Sequence, residues 1–289
     1  MEDLLRPIYQ ERASHSQTLG IIMVEKGKDA FPQTDQFDTV LLVIVKEAEK
    51  QLFIKHYEYR NGKATLYTVM ESQLNIWLRH GSNRKVIDWI LNGKVLFDRN
   101  GYIEGLKNEL YEFPSDERQV KMGVEFAKLI RRYQDGKAFF DSKQYLDAYN
   151  YVIHGLHHLA RLAVIEKGFH PEVTVWHQVK QIDPQIYKLY VELLESEETL
   201  EKRLELLFLA SEFLIHSRAK LGGHHLIQVL SQKDDYWLFG DIMEHPELQI
   251  YSVDLEVFIE FLVDKHLLDV EKVETKGQGI FHRTYKVNK

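Results

Sequence analysis

Two aspartates stand directly before the most apolar segment of the chain, at a spacing that could hold a metal ion. Asp35 and Asp38 lie at the end of a polar loop, and Thr39–Val45, with the sequence TVLLVIV, follows. An apolar run of this length predicts a strand covered on both faces, so the loop would deliver the carboxylates to the edge of a buried sheet. Mg²⁺ prefers such hard oxygen ligands, often one or two carboxylates plus substrate phosphates, as in a phosphoryl-transfer site. The alternative is that these aspartates only form and solvate a turn.

A second cluster of reactive side chains falls in a helical pattern. Apolar residues recur from Tyr145 to Ala163 at three- and four-residue spacing, which predicts an amphipathic helix. The opposite face carries polar side chains, namely Asn150, His154, His157, His158 and Arg161. His154 and His158 have a spacing that can chelate a metal, whereas Arg161 could bind a phosphate. Three interpretations stay open: a solvated helix face, a cleft that faces substrate or phosphate, and a metal site.

The composition limits the chemistry. The 289 residues include 37 Lys and Arg against 44 Asp and Glu, a net charge of −7, with 14 His and no Cys. The absence of cysteine excludes disulfides, thiolate nucleophiles and cysteine-bound metals, so a metal would need carboxylates or histidine. The longest clean apolar run, Val40–Val45, has six residues, and a membrane span needs about 20. The early acidic residues are unlike a secretion signal, and we predict a cytoplasmic protein without a membrane segment.

Three segments with different patterns must position these residues. Residues 1–113 alternate helix and strand signals, which predicts a mixed-sheet domain. Residues 114–232 show long helical periodicities, which predict an antiparallel bundle of four or five helices ended by Gly222-Gly223. Residues 233–289 predict helices followed by a β-hairpin, as in a winged helix. The predicted fold class is therefore α+β, with a small winged-helix-like domain at the C-terminus.

Local signals set several element boundaries. Asn61-Gly62 predicts a hairpin turn, and Ser72 is predicted to cap the helix that follows. Asp254 could likewise cap a helix near the C-terminus. The predicted end of the bundle at Gly222-Gly223 would leave His224-His225 in a surface loop.

The order of elements resembles the nucleotidyltransferase superfamily, particularly its kanamycin-nucleotidyltransferase-like branch. Asp38 followed by TVLLVIV is similar to the second carboxylate of that family's acidic-x-acidic motif and the strand behind it. The run Asn92–Asp98 with Gly101 resembles the family's short strand and the turn after it. The helical bundle is also typical of that branch, so the resemblance covers residues 1–230 in architecture.

The resemblance implies a Mg²⁺-dependent transfer of a nucleotidyl group from a nucleoside triphosphate to a hydroxyl acceptor. It makes Asp38 and Asp35 the metal ligands and catalytic carboxylates, and a neighbouring strand would supply the third carboxylate, Glu58 or Glu71. Lys26 would contact the nucleotide phosphates. The acceptor side would be lined by His154, His157 and Arg161.

Two departures from the family pattern affect this site. Glu25-Lys26 stands where the family carries Gly-Ser, so the glycine that lets a backbone N–H approach the phosphates is missing. Gln36, a neutral and weak cation ligand, stands at the position of the first motif carboxylate, and Asp35 is one residue further back. The alternative function is therefore a catalytically inactive binding or scaffold protein with this fold.

The charge of the C-terminal segment disfavours DNA. Residues 233–289 carry seven basic and twelve acidic side chains, and the predicted helix Asp254–His266 has four acids against one lysine. Such a helix would repel phosphate. The basic residues lie late, at Lys276, Arg283, Lys286 and Lys289. We therefore expect this domain to serve in packing or in contact with a protein partner rather than in sequence-specific DNA binding, and only its hairpin could touch a nucleic-acid backbone.

Overall fold

A computed structural model describes residues 2–27, 34–59, 62–81 and 83–288. The chain forms two compact units: unit 1 contains residues 1–114 and 170–174, and unit 2 contains residues 115–169 and 175–289. The division into three domains at residues 113 and 232 stays a prediction. Among the described helices, none is long and apolar enough to cross a membrane.

Unit 1 is a five-stranded sheet with helices on both faces. The strands lie in the order β3-β4-β2-β1-β5. Strands β2 and β4 run parallel, and the other neighbouring strands run antiparallel. The elements are α1 (Glu2–Ser14), β1 (Thr18–Glu25), β2 (Thr39–Val45), β3 (Leu52–Tyr59), β4 (Gly62–Met70), α2 (Glu71–His80), α3 (Arg84–Asn92), β5 (Lys94–Asp98) and α4 (Tyr102–Glu112).

The predicted buried strand is confirmed as β2, at the centre of the sheet. All seven of its residues are buried. Because side chains alternate between the two faces of a strand, Leu41 and Val43 pack with Leu5 of α1, while Leu42 and Ile44 pack with helices α2 to α4. This double burial fixes the register of β2 and so fixes the position of Asp38, which directly precedes it.

The run that resembles the family's short strand and turn has a structural role. The carboxylate of Asp98 accepts the N–H groups of Ile103 at 2.9 Å and Glu104 at 3.2 Å, which satisfies the first turn of α4. Nε of Arg99 donates to the carbonyl of Thr18 at 2.6 Å. These two residues therefore tie β5 to α4 and to the start of β1.

Unit 2 combines long helices with a small C-terminal sheet. Helix α6 packs along α5, and α9 packs against both. The C-terminal strands lie in the order β6-β8-β7. The α+β class with a helical middle segment is thus confirmed. The elements are α5 (Ser115–Asp141), α6 (Tyr145–Glu166), α7 (Val175–Ile182), α8 (Pro184–Glu195), α9 (Leu200–Leu230), β6 (Trp237–Leu238), α10 (Phe239–Glu244), a 3₁₀ helix (Gln249–Asp254), α11 (Leu255–Asp264), β7 (Leu268–Glu274) and β8 (Phe281–Val287).

The prediction that Gly222-Gly223 ends the bundle is wrong, because α9 continues through both glycines to Leu230. A Cβ on Gly222 would lie 2.2 Å from Cγ of Phe126, and one on Gly223 would lie 2.9 Å from Cδ2 of Leu262. The glycines therefore allow close packing rather than a helix end. As a consequence His225 is buried inside the helix, with its Nδ1 2.8 Å from the Tyr251 hydroxyl. The predicted surface loop is therefore wrong for His225, whereas His224 is exposed on the same helix.

Two predicted helix caps are wrong as well. Helix α2 begins at Glu71, one residue before Ser72, because the pairing of β4 ends at Met70 and the helix follows at once. Asp254 precedes α11 but makes no capping hydrogen bond; its carboxylate accepts from Nε of Arg131 at 2.6 Å. The β3–β4 hairpin is confirmed by its register, while Asn61 of the predicted turn lies outside the described residues.

Candidate functional site

Four charged residues that lie in or directly beside four adjacent strands form a lateral row at one end of the unit 1 sheet. The N–H of Lys26 donates to the carbonyl of Asp38, and the N–H of Asp38 donates to the carbonyl of Lys63, both at 2.8 Å. Glu58 is the cross-strand partner of Lys63. The order across the sheet is therefore Lys26, Asp38, Lys63 and Glu58, with alternating charge. We call these four residues the charge row.

The carboxylate of Asp38 is bound to the neighbouring strand. Its Oδ2 accepts the N–H of Lys63 at 2.8 Å. Gly62 leaves room for this contact, since a Cβ at that position would lie 2.6 Å from the same oxygen. Asp38 therefore joins β2 to β4 through both its backbone and its side chain.

Asp35 binds a lysine from a helix rather than joining the charge row. It has a left-handed backbone with φ of +52°, and its carboxylate forms an ion pair with Nζ of Lys85 in α3. The N–H of Phe37 donates to the carbonyl of Thr34 at 3.0 Å, which closes a turn around Asp35. The interpretation of Asp35 as a turn residue therefore has direct support in these contacts.

The two candidates for a third carboxylate lie at different places. Glu58 is exposed on the edge strand β3, and Lys63 separates it from Asp38. Two strand spacings place the backbones of Glu58 and Asp38 about 10 Å apart. Glu71 follows the opposite end of β4, eight residues beyond Lys63, which is about 26 Å along a strand. Burial, with the contact to Glu71, raises the pKa of the Tyr102 hydroxyl.

These carboxylates do not fit a Mg²⁺ site as far as the structure describes the chain. No group of three or more His, Asp or Glu side chains among the described residues could hold a metal ion. Lysines lie where a metal site would need further carboxylates. Lys63 lies between Asp38 and Glu58, and Lys85 forms an ion pair with Asp35. Lys26 itself is exposed at the end of β1.

His157 lies on the predicted polar face of α6, but both of its ring nitrogens are used within unit 2. Its Nδ1–H donates to the carbonyl of Ile153, and its Nε2 accepts from the indole N–H of Trp176, both at 3.0 Å. Because an indole nitrogen can only donate, the ring of His157 must be neutral. Burial lowers the pKa of His157, in agreement with this state. Trp176 is in turn stacked on Tyr190, with ring centroids 4.1 Å apart.

His158 and Arg161 lie against a carboxylate that the sequence patterns did not single out. Nδ1 of His158 is 2.6 Å from Oε2 of Glu125 in α5, and Arg161 approaches the same oxygen to 3.7 Å. Burial lowers the pKa of His158, against the opposing effect of Glu125. His154 is exposed. The sequence signal for Glu125 is an acid placed among apolar residues in GVEFA, where a buried charge requires a partner.

Three family models match consecutive parts of the chain. Residues 1–118 match a nucleotidyltransferase-like model, residues 119–218 match a YgxA-like substrate binding domain, and residues 224–287 match a helix-turn-helix domain. A crystal structure at 1.90 Å resolution of a nucleotidyltransferase-like protein from Exiguobacterium sibiricum 255-15 is similar. It has a TM-score of 0.82 and 42% identity, over 99% of each chain.

The fold and these matches define a nucleotidyltransferase-like protein that also carries a helix-turn-helix domain. The predicted family resemblance is therefore confirmed. Protein YgxA of Bacillus subtilis (strain 168) is 55% identical over 289 residues, covering 100% of this chain and 98% of that protein. The chain belongs to the YgxA-like family of nucleotidyltransferase-like proteins.

Proposed function

We propose that this chain is a ligand-binding protein that keeps the nucleotidyltransferase fold without Mg²⁺-dependent nucleotidyl transfer. The observation that carries the proposal is the charge row, in which each carboxylate lies next to a lysine. A metal-dependent transfer needs carboxylates that converge on the cation and leave positions for substrate phosphates. A lysine between Asp38 and Glu58 opposes a divalent cation there, because like charges repel.

The departures in sequence agree with the contacts. The N–H of Lys26 donates to Asp38, so β1 continues its pairing where the family carries a Gly-Ser loop. The neutral Gln36 leaves Asp35 as the nearest acid, and Asp35 pairs with Lys85. The competing proposal, an active transferase using Asp38, Asp35 and Glu58 with Mg²⁺, requires the ion pair of Asp35 with Lys85 to break.

Calorimetry with ATP and GTP, each with Mg²⁺ or with EDTA, tests the proposal without knowledge of an acceptor. A metal-dependent site would bind nucleotide more tightly with Mg²⁺ and lose that gain in Asp38→Ala. We expect nucleotide binding that changes less than about threefold between Mg²⁺ and EDTA, because Asp38 binds the N–H of Lys63 and Asp35 binds Lys85, so neither would coordinate the cation. Lys202→Ala, at an exposed ion pair of α9, is the matched control. A tenfold Mg²⁺ enhancement that depends on Asp38 would contradict the proposal.

The helix-turn-helix match favours a second candidate function, nucleic-acid binding by the C-terminal segment. It does not support the prediction that DNA binding is unlikely. The order of the end of α9, β6, α10, α11, β7 and β8 is that of a winged helix, in which α11 would be the recognition helix. However, Glu256 and Asp264 are exposed on α11, and Glu260 on the same face binds Arg283 at 2.9 Å.

We therefore propose that any nucleic-acid contact runs through the β7–β8 hairpin and not through α11. Lys272 and Lys276 are exposed there. Two phosphate contacts predict a salt slope of about −1.8 in log K against log[salt] for duplex DNA. Fluorescence anisotropy with a duplex should show weak binding that is lost in the double variant Lys272→Glu, Lys276→Glu. If binding is lost instead in the double variant Glu256→Gln, Asp264→Asn, the contact runs through α11. If no binding is measured even at low salt, the result contradicts nucleic-acid binding and favours the predicted protein partner.

A further inference from the structure

We propose that Arg161, with Lys128 and the Glu125–His158 pair, forms a site in unit 2 that binds the phosphate of a phosphomonoester. The proposal rests on the ligand-binding role proposed above and assigns the chemical class of the ligand. The site lies within residues 119–218, the segment that matches a YgxA-like substrate binding domain.

The first observation is that Arg161 has hydrogen-bond donors without an acceptor. Its guanidinium is 3.7 Å from Oε2 of Glu125, too far for a hydrogen bond. Its Nη1 is 3.5 Å from Nδ1 of His158. That nitrogen carries the proton donated to Glu125 at 2.6 Å, so it has no lone pair to offer Arg161. Nε of Arg161 is buried and has no partner in the part of the chain that the structure describes.

Other largely buried arginines of unit 2 each donate at least one hydrogen bond to a protein oxygen. Arg218, 14% exposed in its side chain, lies 3.1 Å from Glu166, while Arg161 is 17% exposed. Arg131 donates to Asp254 at 2.6 Å. Arg203 shares with Arg161 a buried Nε that has no partner among the described residues, but its Nη1 donates to the carbonyl of Leu193 at 2.7 Å. A guanidinium that is mostly removed from water is stable when oxygen acceptors satisfy its donors. Among these four arginines, Arg161 is the one whose nearest carboxylate lies at 3.7 Å, beyond hydrogen-bond distance, and a ligand oxygen would supply the acceptor.

The second observation is the sign of the local charge. Glu125 faces the permanent cation Arg161, and Lys128 follows Glu125 by three residues in α5 and so lies on the same helix face. The positive charge of Lys128 also lowers the pKa of His158, after the larger effect of burial. Arg161 and Lys128 thus place two permanent cations beside the carboxylate of Glu125, while Lys121 and Glu117 form an ion pair of opposite charges. The remaining positive charge selects an anion, and a guanidinium fork matches the geometry of a phosphate.

The third observation is that His157, although it lies beside Arg161, has no ring nitrogen available to bind the anion. His157 is held neutral by Ile153 and Trp176. It lies one turn before Arg161 on the same face of α6 and therefore forms a fixed wall beside the guanidinium. Of the three residues predicted for the acceptor side, Arg161 is the one whose contacts leave binding capacity toward an anion.

Calorimetry on the full chain in EDTA tests the site with AMP, inorganic phosphate and adenosine as probes. We expect AMP and phosphate to bind and adenosine not to bind. Arg161→Gln should weaken AMP binding at least tenfold, while Glu125→Gln should strengthen it severalfold, because glutamine still accepts from His158 but does not repel the phosphate. A merely structural role for Glu125 would not produce tighter binding.

Two results would overturn the inference. One is AMP affinity that Arg161→Gln leaves within twofold of the wild type, with the fold of each variant verified by circular dichroism. The other is adenosine binding equal to AMP binding, which would show that the phosphate is not recognised. Because EDTA is present throughout, a Mg²⁺-dependent site in unit 1 would overturn the proposed function and leave this result unaffected.

Discussion

The backbone N–H of Lys63 donates a 2.8 Å hydrogen bond to the carboxylate of Asp38, the residue that family resemblance selects as the catalytic acid. The same two residues are joined by the N–H of Asp38 and the carbonyl of Lys63. A carboxylate in this position connects two parallel strands of the sheet. Its contribution to stability can therefore be measured separately from any chemistry.

Asp38→Ala should lower the free energy of unfolding by about 0.5–1.5 kcal/mol, the usual net value of one hydrogen bond. The physical reason is that the N–H of Lys63 loses its acceptor at the sheet edge. Urea unfolding followed by circular dichroism measures the change, with Glu205→Ala as the exposed control. An increase in stability would instead indicate a strained functional carboxylate, since such sites often trade stability for function.

Gly222→Ala should destabilise the protein by about 1–3 kcal/mol, because the added methyl overpacks the α5–α9 contact. The Cβ would lie 2.2 Å from Cγ of Phe126. Gly105→Ala in α4 is the matched control, since a Cβ there meets nothing within 4 Å. That control should be stabilised by about 0.4–1 kcal/mol through helix propensity. Thermal unfolding measures the melting temperature of each variant. Melting temperatures that shift in the same direction in Gly222→Ala and Gly105→Ala would contradict this account.

Asp254→Ala should destabilise unit 2 by about 1.5–3 kcal/mol, the range for a hydrogen bond to a charged group. Asp254 accepts from Nε of Arg131, and both side chains are largely buried. Since this contact joins the C-terminal segment to α5, we expect limited proteolysis to cut faster between residues 231 and 254. Equal cleavage rates in Asp254→Ala and Glu205→Ala would show that the contact does not hold the segment.

Acid should destabilise unit 2 through His157. Burial lowers the pKa of this residue in the folded state below its ordinary value of 6.5. The unfolded chain therefore binds the proton more tightly, so stability is fully present above about pH 7 and falls as the pH drops through 6.5 toward the lower folded value. Protonation at Nε2 would also break the hydrogen bond from Trp176.

Melting temperatures between pH 5 and pH 8 check this dependence. His157→Gln should flatten the acid side of the profile, because the substituted side chain does not titrate. His154→Gln is the control on an exposed histidine of the same helix. A profile that His157→Gln leaves unchanged would show that other groups cause the acid sensitivity.

The sequence alone was sufficient where a periodic pattern had one physical solution. The short apolar run TVLLVIV indicated a strand covered on both faces, and the three-to-four spacing in α6 indicated a helix with a buried face. The order of these elements then predicted the nucleotidyltransferase-like family. These features depend on neighbours in the chain, which a single sequence displays directly.

Glycine and histidine showed where sequence patterns fail. Gly222-Gly223 carried a helix-end signal. Phe126, almost a hundred residues earlier, packs so close to Gly222 that this position has no room for a side chain. His225 became a buried partner of Tyr251 for the same reason. Local rules assign these residues from adjacent positions, while their actual roles depend on contacts with distant helices.

The candidate sites divide in the same way. The sequence alone determined that Asp38 would stand at the edge of a buried strand, that cysteine chemistry was excluded, and that α6 would carry histidines and Arg161. Only the tertiary structure decided that Lys63 lies between Asp38 and Glu58, and that Glu125 orients His158 beside Arg161. The physical reason is that strand register and helix packing bring together charges far apart in the chain, and these charges determine whether a carboxylate can bind a metal or must pair with a lysine or a histidine.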